Sequence, residues 1–208
     1  MIWYQGESNT DVERAPVYAR LFPTMIEDWR SQWAQGDFPF LFVQIANFVS
    51  DDNWPLVREA QRKTLSLANT GMAVTVDIGN ATNIHPTDKQ DVGHRLALWA
   101  RTISYGEHVE DSGPLFRQAV PQGNAMHVWF NHAARGLVVK GGDLKGFEVA
   151  GEDGKFTSAD AKIESDSVVV SSSSVAKPVY VRYGWASNPE CNLFNGDGLP
   201  ASPFSSIR

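Results

Sequence analysis

The chain has 208 residues and a formal net charge of −6, with 42% hydrophobic and 20% charged residues, the balance of an ordinary globular protein. Its acidic balance and the lack of any lysine- and arginine-rich run argue against a nucleic-acid partner. The single cysteine, Cys191, excludes an internal disulfide and a cysteine-based zinc cluster, and no apolar run approaches the roughly 20 residues that span a membrane.

The first half of the sequence alternates predicted strands and helices. The hydrophobic pattern predicts, in chain order, the end of a strand, a helix, a buried strand, a helix, a buried strand and a helix, over residues 1–4, 11–33, 39–46, 54–68, 72–78 and 86–105. Pro23 is expected to kink or split the first helix. Strands separated by helices of this length indicate parallel crossovers, and so an α/β fold with a doubly wound sheet of the flavodoxin-like type.

The pattern changes near Gly113 and Pro114. From Ala125 onward the segments are short, rich in valine and divided by glycines, as in MHVWF, GLVVK and PVYVRY. Such segments are typical of an antiparallel β-domain. We therefore predict two domains, an α/β domain over residues 1–112 and a small β-sandwich-like domain over residues 113–208.

The α/β half is predicted to be incomplete. It has three strands, and the first begins at residue 1, whereas open sheets usually hold about five strands. The edge formed by residues 1–4 would be unpaired and prone to association. We expect that preceding strands are missing from this chain, or that an N-terminal partner chain or a homo-oligomer covers the edge.

Polar residues follow the predicted strands at the ends where ligands bind in doubly wound sheets. The run Gln5-Gly6-Glu7-Ser8-Asn9 follows the first strand, Asn47 follows the second, and residues 77–85 follow the third. The carboxyl ends of parallel strands meet at one rim. The sequence therefore predicts a site at this rim.

His85 is the best candidate for a general base. It precedes Pro86 at the start of a predicted helix, so it lies in a loop and not in a packed stripe. Histidine can act as a base near neutral pH when a neighbour fixes its tautomer. The competing interpretation, a helix cap or an exposed side chain, has equal support from the spacing.

The run around Gly6 offers hydrogen-bond donors for an oxyanion hole, because glycine permits close approach and Gln5 adds a carboxamide. Without further context, an ordinary turn with capping residues is the favoured interpretation. No nucleophile is evident, since the chain contains no G-x-S-x-G motif. Ser8 is the only hydroxyl in the run, and it suits the N-cap of the helix beginning near Asp11.

Three long motifs then carry a family resemblance. WYQGESN, FVQIANF with WPLVREAQ, and NIHPTDKQDVGHRLALWARTISYG resemble the second half of the sialate O-acetylesterase family, which are carbohydrate esterases of the SGNH type. FEVAGEDGKFTSADAKIE, VRYGWASNP and NLFNGDGLPASPF resemble the terminal β-domain of that family. The resemblance extends over essentially the whole chain.

This resemblance implies a serine esterase that removes acetyl groups from sugars without a metal or cofactor. It implies an O-acetylated carbohydrate as the partner, and a secreted or periplasmic location for the full-length form. The family nucleophile lies in a Gly-Gln-Ser-Asn segment on the first strand of its sheet, and this sequence contains no such segment. We expect the chain to be a truncated or processed C-terminal portion that needs a serine from elsewhere; a stand-alone protein with altered chemistry is the other expectation.

The motifs also imply roles for single residues. The family histidine corresponds to His85, and the QGE motif corresponds to Gln5, Gly6 and Glu7, as oxyanion donors and an orienting carboxylate. Substrate-binding roles are expected at three further positions, Asn9, Asn47 and Arg58, and Gln61 falls near Arg58 in the matching REAQ stretch.

Several residues are candidates for the acid that orients His85. Many SGNH enzymes have aspartate three residues before the histidine, and Thr82 occupies that position here. Asp77, Asp88 and Glu7 are all candidates, and a Ser-His pair without an acid is another.

A non-catalytic carbohydrate-binding or scaffold module is the alternative function. The missing nucleophile and the seven tryptophans support it. The aromatic residues that would line a sugar groove are Trp3, Tyr4, Trp29, Trp33 and Trp54, although core packing is favoured for most of them. The sequence leaves the sugar open among sialic acid, xylan and other acetylated glycans.

Overall fold

The computed structural model describes residues 1–207, and the chain divides into two compact units. The first unit comprises Met1–Ser112 together with the three residues Ala186–Asn188. The second comprises Gly113–Trp185 and the chain from Pro189 onward. The sequence pattern predicted residues 186–188 as part of the β-domain, so their place in the first unit is a correction.

The first unit is built on a parallel sheet, as predicted. Its strands are β1 (Ile2–Trp3), β2 (Phe40–Val43) and β3 (Thr70–Ala73), and they lie side by side in that order. Its helices are a 3₁₀ turn over Glu7–Asn9, α1 (Ala15–Trp33), α2 (Trp54–Thr64) and α3 (Lys89–Ile103). The mixed α/β fold is confirmed.

Helices cover both faces of this sheet. Phe22 of α1 makes edge contacts with the rings of Phe40 and Phe42 on β2. The alternate β2 residues, Leu41 and Val43, belong to the core cluster that α3 completes with Val92, Leu96 and Trp99. Successive strand residues point to opposite faces. Helices α1 and α3 therefore lie on opposite faces, which is the doubly wound arrangement.

Helix α1 continues through Pro23, so of the two predicted outcomes, a kink or a split, the split does not occur. Proline removes one intrahelical hydrogen bond, the one that the carbonyl of Ala19 would accept. Ala19 is exposed, so water can satisfy this carbonyl. The buried side of the helix, which includes Tyr18, Phe22 and Ile26, stabilises it across this position.

Helix α3 begins at Lys89, three residues after the predicted start at Pro86. Asp88 caps it, because its carboxylate accepts from the amide of Asp91 at 3.1 Å. Strand β3 ends at Ala73, earlier than predicted. Residues 74–88 therefore form one long connection, and His85 lies near its end.

The second unit is an antiparallel β-domain, as predicted. Its strands are β4 (Leu115–Gln122), β5 (Ala125–Asn131), β6 (Leu137–Val139), β7 (Phe147–Ala150), β8 (Thr157–Ser158), β9 (Asp160–Glu164), β10 (Ser167–Ser171), β11 (Tyr180–Tyr183), β12 (Leu193–Asn195) and β13 (Phe204–Ser205). They form two four-stranded sheets, β4-β5-β10-β9 and β13-β11-β7-β8, and a two-stranded β12-β6 pair. Val128, Val168, Val149 and Val181 of the two larger sheets share one core.

Strand β1 is an edge of the parallel sheet, paired with β2 alone among the described strands. Its residue Ile2 is 65% exposed. No helix within residues 1–207 has the length and apolar character required to cross a membrane.

Candidate active site

A cavity of about 440 Å³ lies in the first unit, at the carboxyl ends of its strands. Two segments line it, the turn after β1 and the end of the connection before α3. The lining residues are Tyr4, Glu7, Ser8, Ile84, His85, Pro86 and Lys89. The cavity lies at the predicted rim, and both Glu7 and His85 line it.

Gly6 shapes the turn after β1. It is buried and has φ 152°, a conformation that residues with a side chain rarely adopt. A Cβ there would lie 2.8 Å from Cγ2 of Ile45. The turn can therefore lie against Ile45, just after β2, only because residue 6 is glycine.

The side chain of Gln5 is held on both sides. Its Nε2 donates to Oδ1 of Asn9 at 2.6 Å, and its Oε1 accepts from the hydroxyl of Tyr18 at 3.2 Å. Gln61, fully buried, donates to the Gln5 carbonyl at 3.0 Å. A carboxamide has two N–H bonds, so one N–H of Gln5 stays available beyond the bond to Asn9. Gln5, Gly6 and Asn9 lie beside the lining residues in sequence but are not among them.

Ser8 does not cap the following helix, contrary to the prediction. Helix α1 begins at Ala15, and the carboxylate of Asp11 accepts from the amides of Arg14 at 2.8 Å and Glu13 at 3.0 Å. The Arg14 amide in particular lowers the pKa of Asp11. Ser8 is instead exposed on the 3₁₀ turn and lines the cavity.

Short-range hydrogen bonds shape the segment that carries His85. Oδ1 of Asn80 accepts from the amides of Thr82 at 2.9 Å and Asn83 at 3.1 Å. Oδ1 of Asn83 in turn accepts from the His85 amide at 2.9 Å. The imidazole is exposed at the cavity, and Asp88, not His85, caps α3.

The three candidate acids occupy different places. Both carboxylate oxygens of Asp77 accept from the guanidinium of Arg95, at 2.6 and 2.8 Å. Arg95 is buried and also donates to the Val74 carbonyl, so this pair ties α3 to the chain after β3. Asp88 is engaged at the helix cap. Glu7 is the candidate that shares the cavity with His85.

Arg58 does not line the cavity, contrary to the expectation that it binds substrate. Its side chain is fully buried. The guanidinium donates to the carbonyls of Ile45, Ala46, Ala186 and Ser187 at 2.7–2.9 Å. This arrangement is structural, since it satisfies buried backbone groups.

Asn47 is also engaged on both sides of its carboxamide. Its Nδ2 donates to Oδ1 of Asn188 at 2.7 Å, and its Oδ1 accepts from the amide of Gly79 at 2.8 Å. These bonds use its acceptor and one of its donors. The structure therefore places Asn47 between two loops, and it is not among the residues that line the cavity.

Lys89 also lines the cavity, which the sequence pattern did not predict. Its ammonium lies 4.8 Å from the centroid of the Tyr4 ring, in the range of a cation–π interaction. Burial, together with the nearby charge of Glu7, raises the pKa of Tyr4 to about 12. The signal available in the sequence was the position of Lys89 in the first turn of α3, beside the His-Pro pair.

Most of the aromatic residues considered for a sugar groove pack within the unit. The Trp3 ring makes an edge contact with Trp29 at 5.5 Å between centroids. Trp54 is 2% exposed and donates to the Ala46 carbonyl. Trp33 stacks on Phe38 and stays half exposed. Of these residues only Tyr4 lines the cavity.

Comparisons with known proteins relate the α/β unit to carbohydrate esterases. Residues 1–101 match the sequence model of the family described as carbohydrate esterase, sialic acid-specific acetylesterase. The crystal structure of XAC1771, a carbohydrate acetylesterase from Xanthomonas citri, superposes with a TM-score of 0.95 at 47% identity, over 99% of this chain and 49% of that chain.

Curated relatives point to the same family. The sialate O-acetylesterase of Mus musculus is 31% identical over 98% of this chain and 43% of its own length. That of Homo sapiens is 37% identical over 55% of this chain and 26% of its own length. The chain is thus related to the sialate O-acetylesterase family, and the resemblance carried by its motifs is confirmed. It spans less than half the length of these curated relatives.

Proposed function

We propose that this chain carries the histidine side of a serine-type carbohydrate O-acetylesterase site, which hydrolyses acetyl esters on sugars. The observation that carries this proposal is the cavity shared by Glu7 and His85. The relationship to carbohydrate esterases supports the choice of an acetylated sugar as substrate.

In the proposed reaction, His85 acts as the general base. Its imidazole takes the proton of a serine hydroxyl as the serine oxygen bonds to the acetyl carbon, and returns that proton to the sugar oxygen as the ester bond breaks. Water then attacks the acetyl-serine in the same way and releases acetate. Glu7 would accept from the second imidazole nitrogen and so hold the tautomer.

The free N–H of Gln5 is the proposed donor to the oxyanion. Asn9 and Tyr18 fix the carboxamide from both sides, so its remaining N–H has a set direction before substrate arrives. Such preorganised donors account for much of the rate enhancement in acyl transfer. The Gly6 amide is the second proposed donor.

The serine nucleophile is proposed to come from a second polypeptide segment. The Gly-Gln-Ser-Asn sequence of the family does not occur in these 208 residues. The edge of β1, with Ile2 exposed, offers a strand to which such a segment can pair. A homo-oligomer is the competing proposal for what covers this edge. Ser8, which lines the cavity, is the competing nucleophile.

Hydrolysis of p-nitrophenyl acetate separates these sources. The chain should be measured alone and mixed with a polypeptide that contains the Gly-Gln-Ser-Asn segment of a relative. Turnover that appears only in the mixture, and that Ser8→Ala retains, supports a supplied serine. Turnover by the chain alone that Ser8→Ala abolishes would assign the nucleophile to Ser8 instead.

A carbohydrate-binding module without catalysis is the second candidate, favoured by the absence of the family nucleophile segment. It predicts binding of an acetylated glycan, measured by calorimetry, with no ester turnover in either arm of the assay. Loss of turnover in His85→Ala, with the matched variant His94→Ala fully active, would argue against it, because His94 is an exposed residue of α3 away from the cavity.

A further inference from the structure

A three-residue segment from far along the chain, Ala186–Asn188, lies against the loop that follows β2. The Ser187 carbonyl accepts from the Phe48 amide at 3.2 Å, and its hydroxyl accepts from the Ser50 amide at 3.3 Å. Oδ1 of Asn188 accepts from Nδ2 of Asn47 at 2.7 Å. The segment therefore contacts three successive parts of this loop.

One buried guanidinium joins the segment to the loop. Arg58 donates through Nη2 to the carbonyls of Ala46 and Ser187, at 2.9 and 2.8 Å, and through Nη1 to that of Ala186 at 2.7 Å. It is fully buried. Because charged donors on buried carbonyls make strong hydrogen bonds, the segment has a fixed position against the loop.

The loop after β2 in turn holds the connection that carries His85. Oδ1 of Asn47 accepts from the Gly79 amide at 2.8 Å, and the Val49 amide donates to the Ala81 carbonyl at 3.1 Å. The first contact is close, since a Cβ on Gly79 would lie 2.1 Å from Oδ1 of Asn47. Residue 79 must be glycine for the two loops to meet in this way.

We propose that Asn188 is a positioning residue for His85 and acts through Asn47. The acceptor oxygen of Asn188 selects which end of the Asn47 carboxamide faces it, namely the N–H end. The oxygen of Asn47 is thereby directed to the Gly79 amide. This hydrogen bond holds Gly79, at the start of residues 79–85, in one position. The effect of Asn188 on catalysis rests on the proposed function. Its effect on the position of Gly79 does not.

Amide hydrogen exchange tests the structural part without any ester turnover. Asn188→Ala removes the acceptor, and the Gly79 amide should exchange about fivefold faster, the effect of losing roughly one hydrogen bond. Asn188→Asp keeps an acceptor oxygen and should exchange within about twofold of wild type. Asn124→Ala, an exposed asparagine in the β4–β5 turn, is the matched control and should leave Gly79 unchanged.

The proposal would be overturned if the Gly79 amide in Asn188→Ala exchanged at the wild-type rate. It would also be overturned if this amide exchanged as fast in Asn188→Asp as in Asn188→Ala. Faster exchange across the whole parallel sheet would also overturn it, because that would be a general loss of stability. For the catalytic part, the kcat of acetyl-ester hydrolysis should fall about fivefold in Asn188→Ala with KM unchanged, and Asn188→Asp should restore it. An unchanged kcat alongside faster Gly79 exchange would overturn the link to His85.

Discussion

Glu7 and His85 line one cavity although they follow different strands of the parallel sheet. Glu7 lies on the 3₁₀ turn directly after β1, and His85 lies at the end of the long connection after β3. Parallel strands end at the same rim, so this topology brings distant polar loops together. The other acids considered, Asp77 and Asp88, have partners of their own in Arg95 and the Asp91 amide.

This division of the acids predicts different effects for two isosteric variants. Glu7→Gln should lower kcat at least about tenfold while stability stays near wild type, because it removes the carboxylate proposed to orient His85. The exposed α1 residue Glu27 provides the control, and Glu27→Gln should behave as wild type. Full activity in Glu7→Gln would remove Glu7 from the mechanism.

Asp77→Asn should instead destabilise the fold. It replaces the charged acceptor of two Arg95 hydrogen bonds and should cost roughly 1–3 kcal/mol in the free energy of unfolding, measured by urea denaturation. The turnover of the folded protein should change little. A tenfold fall in kcat with unchanged stability would assign Asp77 to catalysis after all.

Gly6→Ala should destabilise the chain by about 2 kcal/mol, because it adds both backbone strain and a clash with Ile45. Gly36→Ala is the matched control. Gly36 also has positive φ, but its Cβ would meet nothing within 4 Å, so only the strain of about 1 kcal/mol should appear. Equal losses in urea denaturation would show that the contact with Ile45 is unimportant.

Arg58→Met should lower the free energy of unfolding by at least about 3 kcal/mol, since it leaves buried carbonyls without donors. Arg20→Met, at an exposed position on α1, should have little effect. A variant of wild-type stability with a raised KM would restore the substrate-binding role first expected of Arg58.

Tyr4 should ionise near pH 12, above its ordinary value of 10.0. Between these two values the unfolded chain has lost the phenolic proton and the folded chain still holds it, so the folded state becomes less stable as pH rises. Tyr4→Phe should lose less stability across this interval than wild type. Ultraviolet titration of the phenolate measures this ionisation. Tyr105→Phe is the control, because Tyr105 is 77% exposed. A Tyr4 that titrates near pH 10 would contradict the argument that burial raises its pKa.

Strand and helix periodicity predicted the parallel sheet and the rim at which the cavity lies, but not every residue that lines the cavity. The buried runs of β2 and β3 and the stripe of α3 gave the order of elements, and this order placed residues 5–9 and His85 at one edge. Ser8 was expected to cap the first helix, but Asp11 accepts from the amides just before α1, and Asp88 is the residue that caps α3.

The structural roles of Arg58 and Asn47 could not be predicted in this way. Both depend on residues 186–188, which follow strand β11 and could not be told from the rest of the β-domain by their sequence pattern. Periodicity reports which face of an element is buried, not which distant loop reaches its end. The sequence pattern around a polar residue at a strand end is therefore the same whether its side chain binds substrate or another loop.

Acetate release from an O-acetylated sugar, with the serine-bearing segment present, tests the central claim most directly. Wild type and His94→Ala should release acetate at the same rate, and His85→Ala should be slower by about a hundredfold or more, the usual contribution of a general base. Equal rates for His85→Ala and His94→Ala would contradict the assignment of His85 as the catalytic base.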